Sequence, residues 1–231
     1  MESHQHIRQV FDEELAALEH DVLEMGSQAD IMVQLAVESL VDLDVDKAME
    51  VVHRDDEVDQ HDLQIESRCL KLLALHHPAA GDFRVVGTTL KIITDIERVG
   101  DLAVDIAKAG MKIEKVLGDS KVIDIPKMAS VARSQFRMAL QSYAQRDLEL
   151  VDAVTNMDDE VDDLFRLLRA QIHKDMVAAP EHVVADSWLL LAIHHIERIA
   201  DHAVNVAERV SYMVTGNFKQ FARGDLPPAK P

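Results

Sequence analysis

The strongest constraint on this chain is that it says the same thing twice. Residues 95–107 read DIERVGDLAVDIA, and residues 195–207 read HIERIADHAVNVA. Upstream of each lies a second matched block, RDDEVD at 54–59 and MDDEVD at 157–162. Ala36 to Asp59 aligns with Ala139 to Asp162 at an offset of 103, and Ile92 to Ala107 with Ala192 to Ala207 at an offset of 100. Acidic residues that repeat together with the apolar frame around them mark a duplicated structural unit. The fold must therefore be built from two like halves, the second three residues shorter in its central turn.

Apolar residues recur at helical spacing nearly throughout, and aromatics make up only 4 % of the 231 residues. That composition suits helices and is poor for sheets. Six helices are predicted. The first runs from about His6 to Val41, and Asp42, Leu43 and Asp44 turn the chain. Asp44 caps a second helix that reaches about Leu75. The segment His76 to Gly81 breaks it, and Asp82 is expected to cap a third helix to about Val116. A link over 117–124 leads to a fourth helix, Ile125 to Gln145. Asp147 caps a fifth, to about Val177, and Pro180 marks the start of a sixth, to about Val214. Short connections make neighbours antiparallel. The expected object is all-α, two tandem pseudo-symmetric three-helix bundles joined end to end. Residues 1–118 form the first bundle, 119–218 the second, and 219–231 a frayed tail.

The core seam is legible. Ile92, Ile96, Val99, Ala103 and Ile106 keep an a/d pattern, and Ala192, Ile196, Ile199, Ala203 and Val206 repeat it. Beside the first seam Glu97, Asp101 and Asp105 stand four apart and form a stripe. Glu197 and Asp201 repeat it, with Asn205 in the third place. Like charges at this spacing repel; Arg98 and Arg198 offset part of this but are expected to lean toward another face. Asp55 and Asp59, and Asp158 and Asp162, are likewise four apart on the preceding helices. Antiparallel packing would carry Asp59 toward Glu97 and Asp101, and Asp162 toward Glu197 and Asp201.

Several carboxylates converging without cysteine suit a hard cation, iron or manganese. The bland alternative is a solvated acidic face, the usual fate of such pairs; the repetition in one register in both halves brings metal binding level with it. His194 joins the stripe of the second half, whereas the turn residues His76 and His77 are not expected to be ligands.

Other classes are disfavoured. The net charge of −18 repels nucleic acid and anionic membrane. The single Cys69 allows no disulfide within the chain and suits a reducing cytosol. The start MESHQHIRQV is polar, with no signal peptide visible, and the longest apolar run, Trp188 to Ile193, is too short to span a bilayer. Only Glu50-Val51-Val52-His53 matches the Glu-x-x-His pattern of di-iron bundles, and no nucleotide loop or nucleophile elbow is present. An enzyme is not expected.

The doubled IERVGD and IERIAD, the DEVD blocks upstream and the Pro78-Ala79-Ala80-Gly81-Asp82-Phe83-Arg84 turn together resemble the PhoU family of phosphate-signalling regulators, over about residues 6 to 218. The resemblance implies a cytoplasmic, often dimeric, non-enzymatic protein. It would be linked to a phosphate ABC transporter with its ATPase and to a phosphate-sensing histidine kinase. It would act as a negative regulator of phosphate uptake and of the phosphate-starvation response. It also implies metal clusters, mapped here onto Asp55, Asp59, Glu97, Asp101 and Asp105, and onto Asp158, Asp162, Glu197 and Asp201. Iron, manganese, magnesium, zinc or calcium would all suit those oxygens. Membrane association would be indirect, through the transporter. The alternative is a metal-storing or metal-dependent phosphate-handling helical protein.

Overall fold

A computed structural model describes residues 2–116 and 125–218, with side chains from residue 8 onward. Six long helices make up the described chain: α1 (Glu2–Asp42), α2 (Val45–His76), α3 (Ala80–Glu114), α4 (Ile125–Gln145), α5 (Leu148–Ala178) and α6 (Val183–Thr215). The boundary expected at 118/119 and the tail at 219–231 lie outside the described residues.

The repeat is visible in the turns themselves. Leu43 and Arg146, 103 positions apart, both adopt left-handed backbone, with φ of 55° and 54°. In each copy the next residue's amide returns to a carbonyl five positions back, Asp44 to Ser39 at 3.0 Å and Asp147 to Ser142 at 3.2 Å. The same aspartates cap the following helix: Asp44 accepts from the Lys47 amide, and Asp147 from those of Glu149 and Leu150. Two features depart from expectation. Asp82 does not cap α3; the cap is Ala79, with no side-chain bond, and Asp82 instead pairs with Arg8 at 2.6 Å. Pro180 opens a 3₁₀ turn, Pro180–His182, and α6 begins only at Val183. Proline's fixed φ and missing N–H suit the first position of such a turn.

Helices α1, α2 and α3 pack into one bundle, and α4, α5 and α6 into the other. The bundles do not meet end to end. They lie side by side, α3 against α6 and α1 against α4, and one apolar core runs through both. All ten seam positions of α3 and α6 are buried. Helices α1, α3, α4 and α6 carry apolar surface beyond what their own bundle covers, and lateral pairing removes it from water, while α2 and α5 pack only within their own bundles. At the α1–α4 contact Arg133 grips Asp30 through two bonds of 2.9 Å, and Arg137 adds a third at 3.3 Å. Asp30 and Arg133 occupy equivalent positions of the repeat, so this bridge sits near the pseudo-two-fold axis. Between α3 and α6 the Asp95 carboxylate takes His202 at 2.9 Å and Asn205 at 3.1 Å. Toward the start of α3, Arg84 lies against Gly216, just past the end of α6, so the two helices run antiparallel and meet near their midpoints.

Candidate functional site

Each acidic block of α2 and α5 sits on the flank that faces the following helix, because Val58 and Val161, one residue before Asp59 and Asp162, are fully inside. Burying the valine leaves the aspartates at i−3 and i+1 beside the seam. In the first bundle this brings Asp55 and Asp59 of α2 to Glu97 and Asp101 of α3. Gly100 lies against this cluster: a Cβ there would make ordinary contacts, 3.5 Å to an Asp55 carboxylate oxygen and 3.4 Å to Val58, and Ala200 carries that methyl at the equivalent place of the second bundle. Burial, reinforced by repulsion from Asp59 and Asp101, pushes the Asp55 carboxyl up to about 6. Glu97 is raised for the same reason, by burial first and then by Asp101, with Arg98 opposing.

The second bundle repeats the arrangement. Asp158 is raised by burial, then eased by the Gln135 amide, which donates to it at 3.2 Å, and raised again by Asp162 and Asp201. Asp162 and Glu197 are raised by burial too, each with Asp201 among the repelling neighbours. His194 lies 3.0 Å from the Glu197 carboxylate and so does join this stripe. Position 135 corresponds to Met32 in the first half, so the two sites differ in polarity at the same place.

The structure corrects the expected role of Arg98. It does not lean away: its guanidinium donates to Asp101 at 2.6 Å and approaches Glu97 at 3.4 Å. It relieves the repulsion within α3 that the spacing creates. Asp105 stands a turn farther along, exposed, on a pocket of about 270 Å³ that it shares with Asp55, Asp101, Arg98, Lys108 and Arg198. Its counterpart Asn205 is directed across the bundle seam to Asp95. Among the described residues no three Asp, Glu, His or Cys side chains are gathered into a ready ligand set for a metal.

Sequence reasoning missed Asp62. It lies one turn beyond Asp59, its carboxyl is raised by burial, and one of its oxygens is buried without a hydrogen-bond partner. The position equivalent to Asp62 is Phe165, so repetition could not flag it; its helical spacing of seven from Asp55 was the available signal. His76, the last residue of α2, packs on Phe11 and lies 3.1 Å from Glu14, and His77 follows in left-handed backbone with φ of 45°. Burial pushes the Cys69 thiol up to about 12, so it is an inert core side chain rather than a thiolate.

No single helix among the described residues is long and apolar enough to cross a membrane. The family model described as "PhoU domain" matches twice, over residues 22–110 and 125–210. A phosphate-specific transport system accessory protein PhoU homolog of Deinococcus radiodurans is 34 % identical over 211 residues, covering 91 % of this chain and 99 % of that one. One from Rhizobium meliloti is also 34 % identical, over 93 % of this chain and 91 % of its own. The crystal structure of PhoU from Pseudomonas aeruginosa superposes with a TM-score of 0.85 at 29 % identity, over 90 % of this chain and all of that one. The phosphate transport system regulatory protein PhoU from Streptococcus pneumoniae gives 0.83 at 26 %, over 91 % and all. Two family domains, matched side by side across nearly the whole chain with the turns and acidic blocks in register, establish that this chain belongs to the PhoU family.

Proposed function

We propose that this chain is an accessory regulator of a phosphate transport system that works by binding rather than by catalysis. It restrains uptake and represses the phosphate-starvation response when phosphate is plentiful, through the transporter's cytoplasmic ATPase and the sensor histidine kinase that reports on it, and it acts as a homodimer. The observation that carries this is end-to-end similarity to accessory proteins of phosphate transport: this chain and its relatives match over nine-tenths of both lengths. The excess of acid suits basic surfaces on protein partners.

In this reading the paired acidic blocks hold metal ions. Asp55, Asp59, Glu97 and Asp101 would hold one group, with Asp62 and Asp105 at its margins, and Asp158, Asp162, Glu197 and Asp201 the other. The donor set is all oxygen and suits a hard cation such as iron, manganese, magnesium or calcium, with zinc also able to bind. The carboxyls whose ionised forms are disfavoured by burial and mutual repulsion are those a cation would stabilise. Arg98 stands where a cation would compete, so filling the first site requires its guanidinium to leave Asp101 and the carboxylates to close in. A bound ion could bridge to a partner's carboxylate or phosphate.

The test is deletion of the gene, with a phosphate-starvation reporter followed in phosphate-rich medium. Loss should switch the reporter on. A chain with Glu97, Asp101, Glu197 and Asp201 all changed to Ala should fold yet rescue poorly. A silent reporter in the deletion strain overturns the reading; altered cellular metal or polyphosphate would then point to metal storage or metal-dependent phosphate handling. Elemental analysis and chelator-dependent melting test the metal separately.

A further inference from the structure

The two halves of the α3–α6 contact are related by the pseudo-two-fold, yet their chemistry differs. On α3, positions 84, 88, 91 and 95 fall on one face at spacings of four, three and four; on α6, positions 202, 205, 209 and 212 do the same, and Gly216 follows at its C-terminal end. These faces meet. Asp95 bonds His202 and Asn205 at one end, and at the other the Arg84 guanidinium carbon lies 3.6 Å from where a Cβ on Gly216 would sit. Gly216 has a φ of 73°, the left-handed turn that glycine favours. Between these ends lie Thr88, Lys91, Arg209 and Tyr212. The equivalent face of α6 carries Val184, Trp188 and Leu191 at the positions of Arg84, Thr88 and Lys91, and α3 offers Ala109 where α6 has Arg209. Val184 and Leu191 are exposed and Trp188 is half-buried, so the fold is completed in its other half without paired arginines at these places.

The basic seam is also unsatisfied. Arg84 Nε, Arg209 Nε and Thr88 Oγ1 are all buried without a hydrogen-bond partner, and Thr88 as a whole is 3 % exposed. Neither guanidinium has a carboxylate partner among the described residues, in a chain with 42 acids. Arg209 instead stacks over Phe218, 5.1 Å from the ring centroid. Buried donors without acceptors are costly, and arginine presents a planar fork of donors matched to a tetrahedral oxyanion. We propose that the seam between the start of α3 and the end of α6 is an oxyanion site, in which Arg84 and Arg209, with the Thr88 hydroxyl, hold one inorganic phosphate-sized anion and Lys91 adds charge at its mouth. The net charge of −18 does not forbid this, since charges more than about 10 Å away are screened at ordinary salt. The site would bind phosphate whether or not a transporter is the partner, and it is distinct from the acidic blocks on α2 and α5.

Isothermal titration of inorganic phosphate into the full chain, with chelator present so that no metal can mediate, tests the site. One saturable event per chain is expected, with sulfate competing. Arg84→Ala and Arg209→Gln should each weaken it by about tenfold or more, and Lys112→Ala, at the Tyr212-equivalent position of the apolar half, should leave it unchanged. Circular dichroism and melting confirm folding; if Arg84→Ala does not fold, Arg84→Lys and Thr88→Val replace it, each expected to weaken binding. Absence of phosphate binding at millimolar concentration overturns the proposal, as does binding that survives the arginine substitutions or is lost equally in Lys112→Ala. Because no reporter strain or metal enters the measurement, its failure leaves the transport reading standing.

Discussion

Asp55→Asn offers the sharpest test of the electrostatics. The Asp55 carboxyl stands at about 6 instead of its ordinary 3.8, chiefly through burial and then through Asp59 and Asp101. A raised acid binds its proton more tightly folded than unfolded, so the ionised form costs stability above pH 6. The cost fades as pH falls through 6 and is gone below 3.8. Taken at face value the displacement is worth about 3 kcal/mol. The side chain keeps contact with solvent, and screening reduces that toward ~1 kcal/mol. Asparagine keeps the shape and removes the charge. In metal-free protein at neutral pH, Asp55→Asn should therefore raise the melting temperature by about 2–4 °C for a chain of this size, and the gain should vanish near pH 4. With manganese or iron present, the order should reverse, because only wild type has the full carboxylate set to gain from binding. Differential scanning calorimetry across pH 4–8, with chelator and then with metal, reads all three. A variant less stable than wild type at neutral pH in chelator, or a gain that does not change with pH, refutes the reasoning.

Three further outcomes follow from packing. Ile96→Ala and Ile196→Ala, fully buried at equivalent points of the two seams, should each cost about 2–5 kcal/mol by urea denaturation; near-neutral values would mean the seam is misassigned. Arg133→Ala should cost about 2–3 kcal/mol, because it strips both 2.9 Å bonds from an Asp30 whose side chain is 12 % exposed. Adding Asp30→Ala should recover part of that in a double-mutant cycle. Asp186→Val, which places at 186 the residue found at the equivalent position 86, should stabilise by about 1–2 kcal/mol at neutral pH. Asp186 is 5 % exposed, one of its oxygens has no partner, and burial raises its carboxyl. A lower melting temperature in Asp186→Val would show that the carboxylate is satisfied by something else.

The sequence by itself determined the helices, their order and the two like halves. Those follow from local chemistry: a/d spacing that buries Ile96 and Ile196, aspartate caps at 44 and 147, and turns whose geometry recurs 103 residues on. It also placed the acidic blocks beside the core, because a buried Val58 or Val161 leaves its neighbours at i−3 and i+1 little choice of face. Only the tertiary structure decided how the halves meet. Side-by-side packing of α3 on α6 and α1 on α4 depends on which apolar surface remains after each bundle closes, a property of three helices together and not of any one. The same holds for what each charge touches. Arg98 turned to Asp101, Asn205 to Asp95 across the seam, and Asp62 into the acidic site without a repeat to announce it. Periodicity names the face on which a side chain stands, but not which neighbour on that face it takes: Arg98 chose one in its own helix, and Asn205 one on another helix 110 residues away.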